Sequence, residues 1–108
     1  GRIEYDHSND AFRHYTADTE RLRITSDGSV LIRNTADPSD YNQTDILLGS
    51  HSGHSGMTIL SGTSSGGFIM FSDNNGGGSN AYRGQIEYAH STDSMRFLTN
   101  SGERLRIT

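Results

Sequence analysis

The sequence predicts an all-β chain, an elongated meander of short antiparallel strands, and three observations lead there. Apolar and polar residues alternate over short runs. Turn residues interrupt those runs about every eight to ten positions. No stretch spaces its apolar residues at i, i+3, i+4 and i+7, so essentially no helix is expected.

Taken in order, residues 2–7 read as a strand and Ser8-Asn9-Asp10 as a turn. Residues 11–16 follow, then the turn Ala17-Asp18-Thr19, then a strand over 20–25. Ser26-Asp27-Gly28 reads as a hairpin turn into 29–33, because a positive φ costs glycine nothing. Asp37-Pro38-Ser39-Asp40, with the only proline, opens a loop. Between Gly49 and Gly84 lie ten of the 13 glycines. Two apolar runs, 57–60 and 68–71, interrupt that stretch. It reads as further meander with longer loops, because a flexible linker would not space such runs so regularly. A plain Gly-rich linker is the alternative.

The chain writes one passage twice. Residues 1–25 align without a gap on 84–108, with fifteen of 25 positions identical at a spacing of 83. This divides the chain into a first copy (1–25), a Gly/Ser-rich β-meander with long loops (26–83) and a second copy (84–108). Repetition at a fixed period signals an array, and arrays usually serve architecture. The chain starts without Met, and its second copy stops where the first runs on into Ser26-Asp27-Gly28, so it reads as a window on a longer array. Ile3, Tyr5 and His7 match Ile86, Tyr88 and His90 at all three positions, whereas the alternate positions match at one of three. Strand side chains alternate between faces, so the matching face is expected to be the packed one. Residues 20–25 and 103–108 are identical on both faces, as if constrained between a core and a neighbouring chain.

Composition explains why neighbours are expected. Leu, Ile, Val and Phe together number 20 of 108 residues, close to the level of disordered chains, yet the net charge is only −4. Such a chain is ordered but poor in core, and identical partners are the simplest source of the missing buried area. All nine basic residues are Arg, suited to fixed, forked pairing with carboxylates. The mildly acidic balance speaks against a nucleic-acid partner. No apolar run reaches the roughly 20 residues of a membrane span, so no membrane insertion is expected. With no Cys, disulfides and thiolate metal sites are excluded.

Candidate chemistry is sparse. Glu4, Glu20 and Asp10 recur as Glu87, Glu103 and Asp93, and paired carboxylates can cleave glycosides. Their arginine neighbours Arg13, Arg21 and Arg23 recur with them as Arg96, Arg104 and Arg106. Ion pairing across strands or chains explains duplicated opposite charges more simply, so no enzyme is expected. His51-x-x-His54 on a Gly/Ser loop is a weak metal signal beside the plain reading of solvated histidines. His7 and His90 fall on the matching face, where they either join a core through hydrogen bonds or, if three chains met at an axis, hold an ion. His14 becomes Phe97 in the second copy, which removes it as a ligand. Asn42-Gln43-Thr44 is a formal glycosylation sequon, and no phosphate-binding loop is present. No cofactor or metal is therefore assigned.

The pattern Gly-x-Ile-x-Tyr-x-His-Ser-x-Asp-x-Met/Phe-x-Phe-x-Thr, followed by Glu-Arg-Leu-Arg-Ile-Thr-x-x-Gly-x-Val, resembles a repeat of bacteriophage tail fibre proteins, marine ones particularly. The passage through Ala81-Tyr82-Arg83-Gly84-Gln85-Ile86 resembles the same family, so the likeness covers nearly the whole chain. It implies a parallel, intertwined homotrimeric β-fibre on the virion tail, structural in role and contributing to host attachment. The alternative owner of such a repeat is a bacterial surface adhesin or extracellular filament. Any specific contact, with a host cell-surface glycan for example, is expected among residues that do not repeat. Tyr41, His51, His54, Asn74, Asn75 and Tyr82 offer the stacking and hydrogen-bonding groups, on loops that otherwise read as spacers.

Overall fold

The computed structural model describes every residue but Asp37, Asn42 and Gln43, and every remaining side chain but those of Pro38, Ser39 and Ser79. The sequon asparagine and the first residue of the predicted 37–40 turn therefore lie outside the described residues. The chain divides into two units, Gly1–Met57 and Thr58–Thr108. The first unit is one sheet of β1 (Arg2–Asp6), β2 (Ala11–Thr16), β3 (Thr19–Ile24), β4 (Val30–Ile32) and β5 (Ile46–Leu48), in that spatial order. The second is one antiparallel sheet of β6 (Gly66–Phe71), β7 (Gly84–Ala89), β8 (Ser94–Thr99) and β9 (Gly102–Ile107), again in sequence order. Short 3-10 turns cover Pro38–Tyr41 and Gly78–Tyr82, and there is no α-helix among the described residues. The all-β class stands.

The duplicated passage folds into the same three-stranded meander twice. Glu4 faces Arg13 across β1 and β2, as Glu87 faces Arg96 across β7 and β8. The first turn of each copy turns on an aspartate at positive φ, Asp10 (51°) and Asp93 (46°), a conformation Asp tolerates better than most residues. The Tyr5 hydroxyl donates to Asp10 at 3.0 Å, and Tyr88 donates to Asp93 at 3.1 Å. The second turn has two residues at positive φ, Ala17-Asp18 in one copy and Asn100-Ser101 in the other. That is the backbone a two-residue hairpin loop needs, reached here by unlike residues. A register shift follows at His14/Tyr15 and at Phe97/Leu98. Beside it Arg21 Nε donates to Thr16 Oγ1 at 3.0 Å, and Arg104 Nε to Thr99 Oγ1 at 3.1 Å.

The structure departs from the expected antiparallel meander at β4 and β5, which pair in parallel. Residues 33–45 make the crossover, about the dozen positions that parallel neighbours require. Val30 N–H donates to Asp45 O at 2.7 Å and Gly49 N–H to Ile32 O at 2.8 Å, closing the two ends of the pairing. The Asp27-Gly28 turn forms as expected, with Gly28 at φ 89° and Thr25 N–H donating to Ser29 O at 3.0 Å. Of the two apolar runs in the Gly-rich stretch, 68–71 lies in β6 but 57–60 forms no strand. Its Ile59 lies beside Gly67, where an added Cβ would meet Ile59 Cγ2 at 3.3 Å. Ile59 thus fills the place of a missing side chain.

Register sorts each sheet into two faces. On one face of the first sheet the rows are Ile3–His14–Leu22–Ile32–Leu48 and Tyr5–Phe12–Ile24–Val30–Ile46. The second sheet repeats the scheme as Ile69–Ile86–Phe97–Leu105 and Gly67–Tyr88–Met95–Ile107. The matching face, expected to be packed, is uncovered within the chain: Ile3 is 67% exposed and Ile46 63%. The better buried residues lie on the opposite face, among them Leu31, Ala11, Gln85, Glu87, Ala89 and Ser94. Each unit is a single sheet layer, so only one face gains cover from its own long charged side chains.

Candidate functional site

The duplicated charges assemble into a lattice across the covered face of each sheet. In the first copy Arg13 reaches Asp6 at 2.8 Å, Glu20 at 3.6 Å and Glu4 at 3.9 Å. Arg23 forks onto Glu20, with Nε and Nη2 donating at 2.8 and 2.9 Å. In the second copy Arg96 donates to both oxygens of Glu87 at 2.5 Å and lies 3.6 Å from Glu103. Arg106 forks onto Glu103 at 2.9 and 2.7 Å. The register shift brings Glu20 and Arg23, three residues apart, onto one face.

Hydrogen bonds depress two of the lattice carboxyls. Arginine beside Glu103 holds its carboxyl below the usual range, chiefly through the Arg106 hydrogen bonds. Asp6 is likewise lowered, first by the Ser8 hydroxyl and then by the Ser8 amide. A glycosidase acid needs the reverse, a carboxyl whose environment raises its pKa. The two tyrosines at the turns shift upward, because each hydroxyl donates to an aspartate that would repel the phenolate.

The six recognition candidates divide between the units. Tyr41, His51 and His54 belong to the first, and Asn74, Asn75 and Tyr82 to the second. All six are exposed, and no hydrogen bond or ring contact joins any two of them among the described residues. The loop carrying His51 and His54 is braced by Ser50 N–H donating to Ser55 Oγ at 3.3 Å. In the other loop Asn74 Oδ1 accepts from Gly76 N–H at 3.0 Å, and Arg83 pairs with Asp73 at 3.3 Å. His51 lines a concavity of about 260 Å3, shared with Glu20, Arg33, Asn34 and Ser50. Sequence reasoning missed Arg33 and Asn34, although they follow β4 directly. Asn34 Nδ2 donates to Gly49 O at 2.9 Å, which fixes that wall of the concavity.

No cluster of three or more His, Asp or Glu side chains able to hold a metal occurs among the described residues. His7 stands edge-on to Tyr5 at 4.8 Å between ring centroids, and His90 to Tyr88 at 5.0 Å. His14 takes the same stance against Phe12 at 5.2 Å. The histidines of the uncovered face are thus aromatic neighbours. No helix among the described residues is long and apolar enough to cross a membrane. Comparison with protein-family models, with curated proteins and with solved structures finds no match.

Proposed function

We infer that this chain is a structural segment of a bacteriophage tail fibre shaft, working on the virion tail as a parallel, intertwined homotrimer. The observation that carries this reading is the pair of apolar rows left uncovered on each sheet, on a scaffold rebuilt at a spacing of 83 residues. Contiguous apolar faces of this extent mark interaction surfaces. Identical chains are the fitting partner, because the same face recurs with the same register. The role is architectural and not enzymatic, in keeping with carboxylates already engaged by arginine. The polar loops around His51, His54, Asn74 and Asn75 are exposed, and threefold display would strengthen weak individual contacts with a host cell-surface glycan.

Light scattering tests the assembly, with an expected mass three times the 11.8 kDa of the chain. A folded monomer at micromolar concentration overturns it. Replacing 49–56 by a short Gly-Ser turn in the fibre of an intact phage tests attachment. Reduced adsorption supports a host-contacting role, and unchanged adsorption leaves the segment as shaft alone.

A further inference from the structure

β1 and β7 are the same strand in two settings. Ile86-Glu87-Tyr88 in β7 is identical to Ile3-Glu4-Tyr5 in β1. β7 carries β6 on its outer edge, whereas β1 is itself an edge strand. The difference shows in burial: the Glu87 side chain is 7% exposed and that of Glu4 34%. Ile3 and Tyr5 are likewise more exposed than Ile86 and Tyr88. What β6 covers on β7 lies open on β1.

We propose that the free edge of β1 accepts a strand of the sequence Gly66–Phe71 supplied by a further copy of the repeat unit. The register follows from the existing pairing. Ile69 opposes Ile86 and Gly67 opposes Tyr88, so the added strand sets Ile69 against Ile3 and Gly67 against Tyr5. His90 N–H donates to Ser65 O at 3.0 Å, and antiparallel bonding alternates, so residues 84, 86, 88 and 90 direct their backbone groups toward β6. By the repeat, Ile3, Tyr5 and His7 direct theirs outward from β1. The glycines of β6 fit this edge for a stated reason. A Cβ on Gly66 would stand 3.1 Å from Glu87 Oε1 and 3.3 Å from Tyr88 O, and the identical Glu4 and Tyr5 would impose the same limits. The edge thus selects the strand by main-chain bonding and by the absence of a side chain at Gly66.

The test adds a synthetic peptide of residues 62–72 to the isotope-labelled 108-residue chain and follows amide hydrogen exchange. At a peptide concentration about ten times its dissociation constant, exchange at Ile3, Tyr5 and His7 slows about tenfold. Glu4, bonded inward to β2, keeps its rate. The peptide with Ile69→Pro lacks the N–H facing Ile3 and gives no slowing. In the chain, Ile3→Pro removes an outward donor, leaves the β1–β2 bonds in place and abolishes binding. Retained protection of the Glu4 and Arg13 amides verifies that this variant folds. The proposal is overturned if the wild-type peptide leaves those three amides unchanged at saturation. Binding seen only at the apolar rows, through Leu22 and Ile24, overturns it equally.

Discussion

Glu20 and Glu103 occupy the same place in the two copies and grip equivalent arginines, yet the Glu20 side chain is 10% exposed and that of Glu103 35%. The difference comes from the far edge of the meander. β3 is flanked by β4, and Arg33, Asn34 and His51 close around Glu20, whereas β9 ends its sheet. Burial raises the cost of removing one partner of an ion pair, because the other charge is left buried and uncompensated.

Glu20→Gln should therefore destabilise its unit more than Glu103→Gln destabilises the other. Loss of hydrogen bonds to charged partners at the first site should cost about 1.5–3 kcal/mol. The exposed second site should lose less, because solvent screens its ion pair. Native-state amide exchange in β2 and β8 reads the two units separately. Equal losses would contradict the burial argument.

Leu31 is the one large apolar side chain fully buried among the described residues, at 0% exposure. It sits opposite Arg23, beneath the charged lattice. Leu31→Ala should cost about 2–5 kcal/mol, and so small a sheet has little to spare. Selective loss of amide protection in β3, β4 and β5 is the expected result.

The repeated strands and their turns were legible because identical residues recur in matching places: Arg21 and Arg104 on Thr16 and Thr99, Arg23 and Arg106 on Glu20 and Glu103, and Arg13 and Arg96 opposite Glu4 and Glu87. Asp10 and Asp93 were legible as turn residues for the same reason. The parallel strand β5 was not. Its three residues follow a polar loop, and what holds them is backbone bonding to β4 from Asp45 and Gly49, which no side-chain pattern announces. Within one chain the matching face stays exposed. Matching at Ile3, Tyr5 and His7 reports a shared constraint, but a single sheet layer gives that constraint nothing of its own to pack against. The recognition candidates were chosen for chemistry alone, so their separation between two units carried no sequence signal.

Acid should weaken both units. Asp6, Asp27 and Glu103 all have folded-state values below their ordinary ones, through hydrogen bonds from Ser8, Thr25 and Arg106 respectively. A depressed carboxyl contributes stability that is complete above its unfolded value. That contribution is lost as pH falls through the folded value. The ordinary values are 3.8 for Asp and 4.5 for Glu, so melting temperature should hold above about pH 5 and fall below it. Asp27→Asn should flatten the fall in the first unit and leave the second unchanged.

Alkali should act through the turns. Tyr5 and Tyr88 are raised above the ordinary 10.0 by donating to Asp10 and Asp93. A raised group stabilises below its unfolded value and loses that contribution as pH rises through the folded one. Ultraviolet titration should show Tyr5 and Tyr88 ionising above 10.0. Asp10→Asn and Asp93→Asn should each move one of them back toward 10.0.

Gly49 closes the β5 end of the first sheet, and it separates two costs that glycine substitutions usually mix. Gly28 and Gly49 both sit at positive φ, 89° and 93°. Nothing lies within 4 Å of a Cβ placed on Gly28, whereas one placed on Gly49 collides with the Ser55 side chain. Gly28→Ala should thus lose only the left-handed backbone term, about 1–2 kcal/mol. Gly49→Ala should lose that and the collision, and should disturb the bonds to Ile32 O and from Asn34 that anchor the His51 loop. Adding Ser55→Gly should restore the collision part, bringing the double variant near Gly28→Ala in unfolding free energy. If Gly49→Ala alone were no worse than Gly28→Ala, the loop would be rearranging freely around Ser55. The concavity beside His51 would then be no fixed feature of the surface.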